Sequence, residues 1–240
     1  MELSALTALL LAGGLGTRLR SIAPVGPKSL APVRGRPFLE YQLAWLQRQG
    51  IHRVVLCLGY ASQSIIDHVG DGSRFGVVAA YSIEPAPLGT AGALALARHL
   101  VSSTALVMNG DTYYTDSLAP MLAQHHSTNA WMTIAVSAGG ERSASGQIVT
   151  DASQRVLRFT EKSESIPNAR VSAGLYLLEP VVLAAIPPAR MVSLEHETIP
   201  ALLRDKRPVY IYTLQGGFWD MGTPAGYAQL DAQLGAEGVG

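Results

Sequence analysis

Hydrophobic positions along this 240-residue chain follow two spacings. Short continuous apolar runs alternate with longer stretches whose apolar positions recur every three or four residues. The first spacing predicts buried strands and the second predicts helices with one buried face. In the first half this predicts strands over residues 6–11, 54–58, 77–83 and 105–108. Helices are predicted over 37–49, 62–69 and 90–100, with Gly50, Gly70 and Gly72 as stops. The run over 6–11 has no polar alternation, as expected of a parallel strand covered on both faces. Repeated β-α units imply a parallel sheet with crossover helices. The second half is less regular. Strands are predicted over 131–136, 147–150, 156–160, 175–178 and 209–214, and helices over 118–125, 181–186, 195–204 and 224–234. The expectation is a single α/β domain over 1–240, built on one mixed, mostly parallel sheet. A nucleotide-binding half of about 1–111 would be followed by a second functional half of about 112–240. Open α/β sheets place ligands at the carboxyl ends of their parallel strands.

Charge narrows the functional classes. Eighteen basic and eighteen acidic residues cancel, and only 15% of residues are charged. That balance argues against a nucleic-acid-binding surface and against an acidic or disordered tail. An anion site must therefore be built locally, from a few side chains and the backbone. One cysteine, Cys57, cannot form an internal disulfide, which suits a reducing, cytoplasmic setting. The apolar N-terminus has its first basic residue, Arg18, after the apolar stretch, and Gly13 and Gly14 interrupt it. It therefore lacks the order of a signal peptide and the length of a membrane span.

The segment leaving the first strand is Leu11-Ala-Gly-Gly-Leu-Gly-Thr-Arg-Leu19. Its glycines permit close backbone approach, and their N–H groups can form an anion-binding nest. Arg18 adds a planar cation suited to phosphate oxygens. A dinucleotide-binding G-x-G-x-x-G starting at Gly14 would need glycine where Leu19 stands. Gly26-Pro27-Lys28-Ser29 carries a proline inside what would be a Walker A ending, which disfavours a P-loop kinase.

This loop, followed by Pro27-Lys-Ser-Leu-Ala-Pro-Val33, closely resembles the signature of the sugar-nucleotide pyrophosphorylases, the sugar-1-phosphate nucleotidyltransferases. Further matching segments occur in the family's order. Glu84-Pro-Ala-Pro-Leu-Gly-Thr-Ala-Gly-Ala93 is similar to the base-binding loop, and Asn109-Gly-Asp111 to the metal-binding strand end. Phe159-Thr-Glu-Lys162 resembles the sugar-phosphate site. Ser172-Ala-Gly-Leu-Tyr176 and Trp219-Asp-Met-Gly-Thr-Pro224 resemble two later segments, with Ser172 replacing the family's usual asparagine.

The resemblance implies a Rossmann-like, three-layer α/β/α nucleotidyltransferase fold. It implies attack by a sugar 1-phosphate oxygen on the α-phosphorus of a nucleoside triphosphate, with pyrophosphate leaving. Such chemistry rests on positioning and electrostatic stabilisation. Carried over, Arg18, Lys28 and Asp111 are the catalytic candidates. Leu11, Ala12, Gly13, Gly14, Gly16, Thr17, Glu84, Pro87, Gly89, Thr90 and Gly110 would bind the nucleotide. Gly146, Glu161 and Lys162 would bind the sugar phosphate, and Asp111 and Asp220 would hold Mg²⁺. Read alone, Asp111 and Asp220 are also turn formers, and Glu161 and Lys162 a solvated pair.

Glu84 bears on the base. An ionised carboxylate only accepts hydrogen bonds, and guanine offers two adjacent donors, so Glu84 favours GTP if it faces the ligand rather than solvent. Within the family the resemblance is nearest to the D-glycero-α-D-manno-heptose 1-phosphate guanylyltransferases of surface-polysaccharide synthesis. It rests on Arg34-Gly-Arg-Pro-Phe-Leu-Glu-Tyr41, Tyr81-Ser-Ile-Glu84, Asn109-Gly-Asp-Thr-Tyr113 and Ser193-Leu-Glu195. Mannose 1-phosphate is the alternative acceptor, and a non-catalytic sugar-nucleotide sensor the alternative of another class. The implied partners are a nucleoside triphosphate and a sugar 1-phosphate, with no nucleic acid or membrane, and a homo-oligomer is compatible. Sixteen residues follow Pro224, too few for the C-terminal β-helix or acyltransferase domain of some relatives.

Among the remaining residues, Cys57 and Trp45 read as core packing. His125 and His126 read as residues of a surface helix, without metal-like partners. Ser193 reads as a helix cap, with Glu195 either in the helix or reaching a sugar. Trp219 fits either packing or ligand contact.

Overall fold

A computed structural model of the chain describes residues 2–14, 26–137, 146–160 and 169–236. In chain order the first half holds β1 (Thr7–Leu11), β2 (Pro32–Val33), β3 (Arg36–Pro37), α1 (Phe38–Arg48), β4 (Arg53–Leu58), α2 (Ser62–Val69), β5 (Val78–Ile83), α3 (Gly89–Ala97) and β6 (Ala105–Asn109). Then follow β7 (Thr112–Tyr114), α4 (Ala119–Ser127), β8 (Met132–Ser137), β9 (Gln147–Thr150), β10 (Val156–Thr160) and β11 (Arg170–Leu178). The last elements are α5 (Pro180–Ala185), α6 (Ile199–Arg204), β12 (Val209–Thr213), β13 (Phe218–Asp220) and α7 (Pro224–Ala236).

Nine strands form one mixed sheet. β6, β1, β4 and β5 lie side by side and parallel. β11 continues the sheet antiparallel to β6, and β8, β9, β10 and β12 extend it beyond. The two halves of the chain therefore share one sheet. Side-chain alternation along β1 explains the three layers. Leu6, Ala8, Leu10 and Ala12 point into a core closed by α1, α2, α4 and α7, whereas Leu9 points into a second core closed by α3, α5 and α6. Both faces are apolar because both are covered. Truncating a fully buried leucine such as Leu9 or Leu10 to alanine in such a strand costs about 2–5 kcal/mol.

Several elements differ from the sequence expectation. The strand expected over 175–178 starts earlier, at Arg170. Its register against β8 shifts between Ser172 and Tyr176, where Gly174 takes φ +71°. That interruption hides the first half of the strand from a pattern search. The helix expected over 195–204 begins as a wide π turn, Leu194–Thr198, before α6. Pro200 lacks the N–H that a regular helix would use at that point. The three-residue strands β7 and β13, which pair antiparallel, are too short to show a period.

α4 is a surface helix, but one of its two histidines lies on the buried side. His125 is not on the surface: it is 1% exposed, on the inner side of α4 with Met121 and Leu122. Its Nδ1 lies 2.7 Å from Thr133 Oγ1 and its Nε2 3.1 Å from Glu179 Oε1, which also accepts from Thr104 Oγ1 at 2.6 Å. Burial pushes the imidazole pKa down, with the Glu179 contact opposing it. The sequence hides this position because Thr133 and Glu179 lie on other elements.

Candidate active site

The parallel strands β1, β4 and β6 end together, and the segments leaving them, with the one following β5, surround a cavity of about 820 Å³. Leu11 to Gly14 leave β1, Gly59 and Tyr60 follow β4, Glu84 to Pro87 follow β5, and Asn109 to Asp111 close β6. Lys28, Gly89, Thr90 and Gly222 complete much of the wall. The strands end level because their registers are aligned, Leu11 opposing Cys57 on one side and Asn109 on the other.

Glycine is required where two segments meet. A Cβ on Gly13 would lie 2.9 Å from Gly59 N and 3.0 Å from Glu84 Oε1. No L side chain fits there without displacing the backbone. Glu84 follows the last residue of β5, and its N–H donates to Leu58 O at 2.8 Å. Its carboxylate turns back into the cavity, where Oε2 accepts the Leu88 N–H at 2.5 Å. Partial burial raises its pKa, and the Leu88 N–H opposes that shift. Cys57 beside it is 1% exposed, and burial, with a smaller contribution from the Glu84 charge, pushes its thiol up to about 12.

At the other end of the cavity three charged groups converge. Lys28 Nζ donates to Asp111 Oδ2 at 2.5 Å across 83 residues of sequence. A Cβ on Gly222 would lie 2.7 Å from Asp220 Oδ1, 3.0 Å from Lys28 Nζ and 3.4 Å from Asp111 Oδ2. The two carboxylates and the ammonium therefore face one small space that glycine leaves open. Asp220 reaches it because β13 pairs with β7, placing Asp220 opposite Thr112, and because Met221 N–H donates to Asp111 O at 2.9 Å. Its Oδ1 also accepts the Gly222 N–H at 2.6 Å.

The model of the nucleotidyl transferase family matches residues 7–237. The chain belongs to that family. Among nucleotidyl transferases, it is 39% identical over 230 residues to a mannose-1-phosphate guanylyltransferase of Mycobacterium tuberculosis, covering 95% of this chain and 64% of that protein. It thus spans less than two thirds of that relative's length. It is 32% identical to a D-glycero-alpha-D-manno-heptose 1-phosphate guanylyltransferase of Aneurinibacillus thermoaerophilus, covering 95% of this chain and 97% of the relative. Among solved structures, HddC from Yersinia pseudotuberculosis, complexed with GMP-PN, superposes with a TM-score of 0.82 at 26% identity. That match covers 95% of this chain and 99% of the other. A structure described as a putative glucose-1-phosphate thymidylyltransferase from Bacillus anthracis superposes at 0.84 with 21% identity over 95% and 94%, and shares the nucleotidyl transferase fold.

Of the nucleotide-binding candidates, Leu11, Ala12, Gly13, Gly14, Glu84, Pro87, Gly89, Thr90 and Gly110 all line the cavity. Lys28 and Asp111 line it too, and Asp220 faces the Lys28–Asp111 pair. Gly16, Thr17, Arg18, Glu161 and Lys162 lie outside the described residues. Gly146 lies against the Phe159 ring, and its carbonyl accepts the Ser172 N–H at 2.9 Å. Thr90 also ties the cavity wall to a distant segment, because its Oγ1 accepts the Leu194 N–H at 2.8 Å. Ser193 caps the following turn through His196 N–H, and Glu195 Oε1 accepts the buried Tyr176 hydroxyl at 2.7 Å. Trp219 packs against Tyr113 in a tilted arrangement, with ring centroids 6.2 Å apart.

Tyr60 is a cavity residue that the sequence pattern does not single out. It is 52% exposed at the mouth, two residues beyond the end of β4. Its position just past a strand-ending glycine, at the carboxyl end of a parallel strand, was the available signal.

Two carboxylates facing one open space beside an ammonium suit Mg²⁺, which usually takes one or two protein carboxylates together with substrate phosphates and water. Among the described residues, no three His, Cys, Asp or Glu side chains cluster to form a closed all-protein cage. No helix among them is long and apolar enough to cross a membrane.

Proposed function

We propose that the chain is a sugar-1-phosphate guanylyltransferase: it joins GMP from GTP to a sugar 1-phosphate and releases pyrophosphate. One observation carries this reading. A single cavity joins a hydrogen-bond-accepting carboxylate, Glu84, at one end to the Lys28–Asp111–Asp220 cluster at the other. That is the polarity of a bound GTP, with base donors at the first end and phosphates at the second. The Leu88 N–H occupies one acceptor direction of Glu84. A carboxylate has about four, so directions remain for guanine N1–H and the exocyclic amine. Tyr60 offers an aromatic face beside that base position.

In the reaction, an oxygen of the sugar phosphate bonds to the α-phosphorus while the bond to the pyrophosphate oxygen breaks. Lys28 balances charge at the α-phosphate or the departing pyrophosphate. Arg18 and the Gly13–Thr17 backbone hold the triphosphate. Asp111 and Asp220 would hold Mg²⁺, which would supply positive charge to the phosphate oxygens. Lys162, Glu161 and Gly146 hold the sugar phosphate. The acceptor is already anionic, so no protein nucleophile is needed.

The proposed acceptor is D-glycero-α-D-manno-heptose 1-phosphate, with GDP-heptose as a cytoplasmic precursor for surface polysaccharide. The match to nearly the whole length of the heptose relative supports it. Mannose 1-phosphate is the second reading, favoured by the 39% identity to the mycobacterial relative. A non-catalytic sensor would have no use for the convergence of Lys28, Asp111 and Asp220. The test is pyrophosphate release with Mg²⁺ over a grid of nucleoside triphosphates and sugar 1-phosphates. Highest kcat/KM with GTP and a manno-configured acceptor supports the proposal, and silence across the grid overturns it.

A further inference from the structure

We infer that Gln42, 67 and 70 residues away in sequence from the two carbonyls it binds, is a positioning residue for Asp111. Gln42 lies on α1 and is 1% exposed. Its Nε2 donates to Asn109 O and to Thr112 O, each at 2.9 Å. These two carbonyls flank Gly110 and Asp111, so one side-chain amine closes the turn that carries the carboxylate. The Asp111 carbonyl is held independently from the other side by Met221 N–H. The turn is thus fixed between α1 and the segment bearing Asp220.

The other end of the same amide gains nothing from the protein around it. Gln42 Oε1 is buried with no hydrogen-bond partner among the described residues. An unpaired buried amide oxygen is unfavourable, and an apolar side chain of similar length would avoid it. What glutamine adds is an amine that reaches two carbonyls together. A local penalty beside a functional group is where a sequence keeps geometry at the expense of stability. At the C-cap of α1, Gln49 repeats the device, donating to Asp116 O and accepting Leu118 N–H, both at 3.0 Å. α1 and its C-cap therefore hold the segment that follows β6 at two points.

Gln42 acts in catalysis only if Asp111 serves the nucleotidyl transfer proposed above. Releasing the turn moves the Asp111 carboxylate relative to Lys28 and Asp220 while leaving the base end of the cavity intact. Displacements of about 1 Å can cost about 100-fold in rate. Gln42→Met is expected to lower kcat about tenfold or more, on that scale, and to raise the Mg²⁺ concentration needed for half-maximal rate several-fold, with GTP KM little changed. Hydrogen–deuterium exchange over residues 110–114 should accelerate, a readout independent of turnover. Tyr41→Phe is the control. It removes another buried hydrogen bond from α1, Tyr41 Oη to Val33 O at 3.0 Å, and is expected to lower thermal stability without moving the Mg²⁺ midpoint. If Gln42→Met does not fold, Gln42→Asn, which is too short to reach both carbonyls, replaces it. An unchanged Mg²⁺ midpoint together with unchanged exchange over 110–114 overturns the inference. If the wild-type chain itself releases no pyrophosphate, the proposed function fails, and unchanged exchange over 110–114 still overturns the positioning of the turn.

Discussion

Lys28 Nζ and Asp111 Oδ2 meet at 2.5 Å across 83 residues, with the two side chains 13% and 26% exposed. The pair joins the segment after the glycine loop to the end of β6. It also places an ammonium where phosphate charge is proposed to change. Lys28→Met should lower kcat by about 10²–10³-fold, the scale for losing one preorganised donor to a developing anion. Steady-state kinetics with saturating GTP check this. A loss confined to KM would show that Lys28 binds ground state and transition state alike.

Glu84 should set base choice. Glu84→Gln replaces a pure acceptor by a group that both donates and accepts. The ratio of kcat/KM for GTP over UTP or dTTP should fall by about tenfold or more, the weight of one hydrogen-bond mismatch. An unchanged ratio would remove Glu84 from base recognition.

The same residue predicts a pH dependence. Burial raises the Glu84 pKa, and its ionised form is the one proposed to accept from guanine. KM for GTP should be flat at neutral pH and rise as pH falls through that raised value. The rise should begin at higher pH than an ordinary glutamate, near 4.3, would give. In Glu84→Gln this inflection should vanish, and a profile identical to wild type would contradict the assignment.

His125 predicts a stability effect away from the site. Its folded pKa is lowered, so the unfolded chain binds the additional proton as pH falls. Its contribution is fully present above about 6.5 and is lost as pH falls below that, towards the folded value. Glu84 shifts in the opposite sense and gains stability in acid. The comparison is therefore between wild type and His125→Gln in thermal melts from pH 7.5 to 5.5. The wild-type melting temperature should fall more steeply over that range, and parallel curves would show that His125 is not the titrating group.

The fold and much of the cavity lining could be read from the sequence because both rest on local signals. The apolar run at 6–11 and the β-α alternation announced the parallel half, and the glycine and Pro-Lys segments announced the cavity. What stayed hidden depends on partners distant along the chain. His125 looks like a polar residue on a polar helix end until Thr133 and Glu179 arrive from other elements. Gln42 reads as one polar position in an amphipathic helix, and its role follows only from the carbonyls of Asn109 and Thr112. β13 has three residues, yet its pairing with β7 brings Asp220 towards Asp111. Tyr60 carries no motif, and only the level ends of β1, β4 and β5 make it part of the site.

Whether the chain transfers GMP to a sugar phosphate is decided by the products formed from GTP, Mg²⁺ and D-glycero-α-D-manno-heptose 1-phosphate. They can be followed by ³¹P NMR, with mannose 1-phosphate in parallel. The expected result is a new diphosphate-linked GDP-sugar and pyrophosphate in equal amounts, with the heptose preferred. Accumulation of GDP with a phosphorylated sugar, or an unchanged spectrum with both acceptors, would contradict it.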